Sequence, residues 1–228
     1  MRAAAIRALD TVMPTQRRSL AARLAKETNP DVLDAVAHLS GADGDAGDSD
    51  RALADAASGR LSGADVLKRH LARAGSRQPL PVLDDLLKVV VARAARIRDP
   101  EEAAEWLDVR AGLHAALASR GSRLGLYDLR DALDAWQEPQ PRAFITAARA
   151  VGDASCLEPL GRAFARVLSE WSRHDILLAC RDILRRERLT RRHQVVRRLV
   201  RQVPALAAVL WPTKAQGSGL RAQGGSRP

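Results

Sequence analysis

Apolar side chains recur along most of this chain at the spacing of one helix face. Leu83, Leu86, Leu87, Val90, Val91, Ala94 and Ile97 form one such stripe. It is followed by Asp99-Pro100-Glu101-Glu102, where Asp suits an N-cap, Pro the first helical position, and the two acids the positive end of the helix dipole. The pattern predicts a helix from about Pro100 to Ser119. Gly121, tolerant of the left-handed conformation, would end it.

Displacing the sequence by 31 residues lays Leu113–Gly121 over Phe144–Gly152, an Ala-rich helix ending at glycine in both copies. The following helices align too: Leu126 with Leu157, Leu129 with Leu160, Ala132 with Ala163, Leu133 with Phe164. Their spacing builds one buried face. A further unit follows after about 36 residues, with Val196 in the place of Leu160, Val200 in that of Phe164, and His193 weakening the position of Leu157. Ala147-Ala148-Arg149-Ala150-Val151 recurs loosely as Ala5-Ile6-Arg7-Ala8-Leu9 and as Ala179-Cys180-Arg181-Asp182-Ile183. Three consecutive helix pairs are expected, 105–119/123–136, 142–152/154–169 and 173–187/190–203, stacked because each pair alone leaves an apolar face uncovered.

These features resemble the HEAT repeats, particularly the short bacterial type. The matching elements are the two-helix unit, first helices such as RAAAIRALDTV and AFITAARAVGD, and the Gly152-Asp153 break before Cys156-Leu157-Glu158-Pro159-Leu160. The likeness is tightest over 105–203 and looser over 1–40. It implies an all-α fold, an α-solenoid of stacked antiparallel helix pairs, and carries over no catalytic residue. The expected organisation is N-terminal HEAT-like helices over 1–40, an acidic flexible loop over 41–50 (GADGDAGDSD), an irregular helical segment over 51–98, HEAT-like repeats over 99–211, and a disordered tail over 212–228. Met1-Arg2-Ala3-Ala4-Ala5-Ile6 enters directly into the body of a first helix. Two readings stand there: a frayed end solvated by Arg2, or a truncated repeat that a longer parent would precede.

Composition agrees with helices. Ala (42) and Leu (31) dominate while β-branched and aromatic residues are sparse, which argues against a mostly-β architecture. No stretch approaches the ~18 apolar residues of a membrane span, and the first thirty residues carry arginines rather than a signal-like apolar run, so a cytoplasmic protein without membrane contact is expected. Cys156 and Cys180 sit in apolar helical patterns and read as reduced core thiols. The five histidines include no pair at i,i+3 or i,i+4, and no P-loop, GxGxxG, HExxH or GxSxG occurs. No catalytic residue, metal site or cofactor is therefore assigned. Trp106 with Asp108, or Trp136 with Asp134, imitates in composition alone the Trp and acid pairing of DNA glycosylases built on HEAT-like repeats. Chromophore lyases also use short HEAT repeats, and nothing singles them out here. Trp106, Trp136, Trp171 and Trp211 fall near helix ends, where packing between repeats is the ordinary role.

Charge adds one asymmetry. Residues 1–180 sum to zero, and the whole +10 lies in 181–228. With Arg191 at zero on a helical wheel, Arg198 falls at about 340°, Arg201 at about 280° and Arg197 at about 240°, opposite the valines and leucine of the same segment. Arg191, Arg197, Arg198 and Arg201 are thus the candidate residues for an anionic partner, against the plainer reading of a solvated outer face. The expected function is a non-catalytic HEAT-repeat scaffold mediating protein–protein interaction with a partner the sequence does not name. The alternative is a nucleic-acid-binding solenoid using the C-terminal arginine face.

Overall fold

A computed structural model describes residues 47–212. The expected N-terminal helices over 1–40, most of the acidic segment, and the tail beyond Pro212 lie outside the described residues. The described part is all-helical, with ten α-helices and no strand. These are α1 (47–57), α2 (Ala64–Ala74), α3 (Leu80–Ala94), α4 (Pro100–Ser119), α5 (Leu126–Asp134), α6 (Ala143–Val151), α7 (Leu157–Arg166), α8 (Glu170–Arg186), α9 (Gln194–Gln202) and α10 (Pro204–Leu210).

Local signals explain several boundaries. Asp99 caps α4 by accepting from the backbone N–H of Glu101 at 3.3 Å, with Pro100 at the first helical position. At the other end Gly121 takes φ +65°, so its N–H reaches the Ala118 carbonyl (2.9 Å) and the Ser122 N–H the Leu117 carbonyl (3.0 Å). That is the paired bonding of a left-handed helix stop. Gly152 ends α6 for a different reason: its φ is −57°, and a Cβ there would lie 2.5 Å from the Ala148 carbonyl oxygen. The left-handed stop returns at the end of α8, where Arg188, in the register of those glycines, holds φ +53° while Leu189 N–H bonds the Leu184 carbonyl.

Helices of alternate order pack into two rows. One row runs α2, α4, α6, α8, each against the next; the other runs α5, α7, α9. The rows meet where α5 touches α6 and α7 touches α8, and α10 closes the end against α7, α8 and α9. Helices α4 to α9 fall on the three expected pairs with ends shifted by a few residues, the last starting at Gln194 and not at 190; Leu129 and Leu160 are buried, with Phe164 half-buried at the core's edge. Helix α4 is a wall between two apolar clusters. Trp106, Val109, Leu113 and Leu117 face the α1–α3 side, while Ala111 and Ala118 join the core of α5–α10. Burial on both flanks explains why its apolar residues are not confined to one face.

Two expectations are corrected. Residues 47–50 of the acidic segment are not loop but the first turn of α1. Acids suit the N-terminal end of a helix, and long-range partners hold this one. Ser49 is fully buried with its hydroxyl 3.0 Å from His70 Nδ1, and Asp50 accepts from Gln78 Nε2 at 2.6 Å. Among the tryptophans, Trp106 and Trp136 are buried and Trp211 is partly buried, but Trp171 is 75% exposed. Its neighbour Ser172 takes the inward position in the first turn of α8, donating to Glu138 Oε1 at 2.7 Å, and the side chain one residue away points about 100° off that face.

Candidate functional site

The C-terminal helices carry the surface features that the fold does not consume. Helix α9 begins at Gln194, with His193 in extended conformation before it. Arg191 and Arg192 therefore sit in the preceding turn and not on the expected helical stripe, because the left-handed Arg188 stop leaves residues 189–193 to redirect the chain. This also explains the mismatch of His193 with Leu157, since the position precedes the helix. Within α9, Val196 and Leu199 are buried, and Leu199 lies against α7 so closely that a Cβ on Gly161 would come within 2.4 Å of it.

The four candidate arginines divide between two sides of α9. Arg198 turns to α7, with Nη1 3.5 Å from Glu158, at the edge of a cleft of about 350 Å³. Three arginines and three acids line that cleft: Arg130, Arg162 and Arg198 with Asp131, Asp134 and Glu158. Arg191, Arg197 and Arg201 instead share a cleft of about 520 Å³ between α9 and α10, floored by Val200, Ala207, Ala208 and Trp211. No acid lines it. Arg191 donates to the Trp211 carbonyl at 3.0 Å with its guanidinium 5.2 Å from the indole centroid, and Arg201 Nε donates to the Arg197 carbonyl at 3.3 Å.

Elsewhere arginines join the rows. Arg142 pairs with Asp175 and Arg149 with Asp182 (2.6 Å) between α6 and α8; Arg162 pairs with Asp134 (2.5 Å) between α7 and α5. Arg186 donates to the carbonyls of Arg149, Ala150 and Gly152 at the end of α6, and Arg166 to those of Asp134 and Trp136 at the end of α5. These cations satisfy the unpaired carbonyls of the helix beneath.

A third feature is apolar. Helices α7, α8 and α10 enclose a cleft of about 880 Å³ lined by Phe164, Trp171, Leu177, Val203 and Val209, with Arg173 and His174 among its polar groups. Trp171 and Val209 (45%) are exposed on its lining, and Leu168 (84%) is exposed between α7 and α8. Large apolar side chains left open together mark interaction surfaces in water-exposed proteins.

One buried polar cluster carries no signal in the sequence beyond an i,i+4 spacing of its two bases. Arg110 and His114 on α4 converge on Asp128 of α5: Arg110 donates from Nε (2.9 Å) and Nη2 (2.7 Å), and His114 Nε2 lies 2.7 Å from Oδ2. Burial pushes this carboxyl up, but the hydrogen bonds and charges of His114 and Arg110 outweigh it and hold Asp128 below the usual carboxylate range. His114 is 2% exposed, its ring 5.6 Å from that of Phe144, so the cluster binds α4 to α5 and opens on no cleft described above. Glu138, also unforeseen, accepts from the N–H groups of Leu168 and Ser169 and from Ser172 at the start of α8; the Ser172 bond, with those two, lowers its carboxyl pKa.

Comparison with family models, curated proteins and solved structures finds no match to this chain. Chemistry must then be read from side chains alone. Both cysteines are buried core thiols; burial pushes Cys156 up and Cys180 up to about 12, so neither forms appreciable thiolate near neutrality. Trp106 and Trp136 are buried while Asp108 and Asp134 are exposed and engaged by Lys68 and Arg162, so neither pairing sets an open indole beside its acid. Among the described residues no group of His, Cys, Asp and Glu could hold a metal ion, and no helix is long and apolar enough to cross a membrane.

Proposed function

We propose that this chain is a non-catalytic HEAT-like α-solenoid, a cytoplasmic scaffold that works without cofactor or metal by holding a partner protein. Two rows of helices in register, repeating at the offset found in the sequence, support the solenoid reading. The observation that carries the function is the apolar cleft of α7, α8 and α10. It gathers Trp171 and Val209, with Leu168 beside it, three of the five exposed large hydrophobic side chains among the described residues. Tryptophan is among the side chains that most often anchor a protein contact. The test is affinity capture followed by cross-linking at the cleft, comparing the wild type with the double variant Leu168→Ser/Trp171→Ala. A specific cross-linked partner lost in the variant, with thermal unfolding unchanged, supports the scaffold; an identical capture profile refutes this surface as the contact.

A second reading, duplex nucleic acid held on the phosphate backbone, is favoured by one observation, the three cleft arginines without an acid. Binding to a DNA duplex would then weaken with salt by a log–log slope of about 0.9 per phosphate contacted. Weak, sequence-independent retention with a flat salt response would dismiss it.

A further inference from the structure

The arginine cleft points to its own ligand chemistry. We infer that the cleft between α9 and α10 receives an acidic segment of the partner protein, with carboxylates on Arg191, Arg197 and Arg201 and an apolar side chain on the floor of Val200, Ala207 and Ala208. The inference rests on the scaffold reading and names the chemistry of the partner at a second surface.

Four observations carry it. No acid lines the cleft, and among the described residues none of the three guanidiniums has a carboxylate within ion-pair distance. Arg142, Arg149, Arg162 and Arg198 each meet one. A concave pocket of one charge sign concentrates its field on an incoming anion. Residues 213–228 of the sequence add Lys214, Arg221 and Arg227 and no Asp or Glu.

The third observation is preorganisation. Arg191 is held by the Trp211 ring and the Trp211 carbonyl, so less side-chain entropy is lost when a carboxylate arrives, and a planar guanidinium accepts that carboxylate in two parallel hydrogen bonds. The fourth separates peptide from nucleic acid. Trp211 is the one aromatic ring in the lining, and Arg191 already stacks on it, while the rest of the floor is small and aliphatic. Stacked bases want open aromatic faces. Arg198, which would extend a phosphate track along α9, is turned away to Glu158. What remains is a bounded pocket of three cations over an apolar floor, which fits an acidic peptide bearing a leucine-like side chain.

The experiment uses the full chain and a fluorescein-labelled peptide of mixed Glu and Leu, beside its Glu→Gln analogue and a labelled DNA duplex, with anisotropy read at two salt concentrations. The expected result is saturable binding of the acidic peptide, weakened roughly tenfold or more in R197Q/R201Q by loss of charge-assisted hydrogen bonds. R198Q should bind as the wild type does, and R197Q/R201Q should keep the wild-type unfolding temperature. Equal binding by R197Q/R201Q and wild type overturns the inference, as does equal binding of the Gln analogue or tighter binding of the duplex at physiological salt. If the wild type binds no acidic peptide while partner capture still depends on Leu168 and Trp171, the arginine cleft is refuted and the scaffold stands. If capture is also indifferent to those two residues, the scaffold reading falls with it.

Discussion

Helix α9 separates two clefts that a count of arginines would score alike. Towards α7, three arginines are interleaved with Asp131, Asp134 and Glu158, and Arg198 joins that balanced set. Towards α10, Arg191, Arg197 and Arg201 stand with no acid, over Val200, Ala207, Ala208 and Trp211. The residue type is the same, and Arg197, Arg198 and Arg201 share one helix and are all exposed. The difference is what the neighbouring helix presents: α7 offers Glu158 in its first turn, whereas α10, reading PALAAVL, offers no charge. In a chain with 33 arginines, abundance says little about anion binding, and the inventory of partners decides which cations are left for a ligand.

That contrast can be broken most severely where a charged group is half-buried and fully partnered. Asp128→Ala leaves Arg110 and His114 unpaired between α4 and α5 and should cost about 2–4 kcal/mol of unfolding free energy by denaturant titration. Because the folded carboxyl titrates below its unfolded value, its contribution is fully present above the unfolded pKa. It is lost as pH falls through the lower folded pKa. Wild-type stability should therefore decline on acidification below about pH 4, and Asp128→Asn should flatten that limb of the profile. An unchanged acid limb in Asp128→Asn would show that the carboxylate is not the group responsible.

Arg186→Ala comes next, since it strips three carbonyls at the end of α6 of their donor; a loss of about 1–3 kcal/mol is expected in the same titration. Arg188→Gly should move stability the other way, by about 0.5–1 kcal/mol, because glycine takes the left-handed stop without a Cβ penalty. A lowered unfolding temperature in that variant would mean that the Arg188 side chain carries a contact of its own. The smallest effects belong to α9. Arg198→Gln should cost less than about 1 kcal/mol for its half-exposed ion pair with Glu158. Arg197→Gln/Arg201→Gln should stay within about 0.5 kcal/mol of wild type. Marked destabilisation in the latter pair would place those arginines with the structural set and remove the distinction between the two clefts.

Much of the fold was legible because it is written locally. A helix stripe, an Asp-Pro-Glu-Glu start and a glycine stop each act within a turn or two of chain, so α4, the pairs that follow it and the burial of Leu129 and Leu160 were readable from spacing. The two helix ends at Gly121 and Gly152 also align in sequence, but only the three-dimensional structure shows that one needs a positive φ and the other a close backbone approach, and that Arg188 takes the same stop with a side chain. The candidate site was half legible. The helical wheel groups Arg191, Arg197, Arg198 and Arg201, but it measures angle and not the charge on the next helix, where Arg198 alone of the four meets Glu158.

What the sequence by itself determined is the helical content, the repeat of helix pairs and the concentration of positive charge after residue 180. What only the tertiary structure decided is which polar groups find partners 14 to 34 residues away. Asp128 meets Arg110 and His114, Glu138 reaches the start of α8, Ser49 is buried against His70, and Trp171 is left on the rim of an open cleft. Hydrophobic periodicity is a property of one helix, but ion pairing is settled by the register and separation of two. That register and separation are not fixed until the helices have packed.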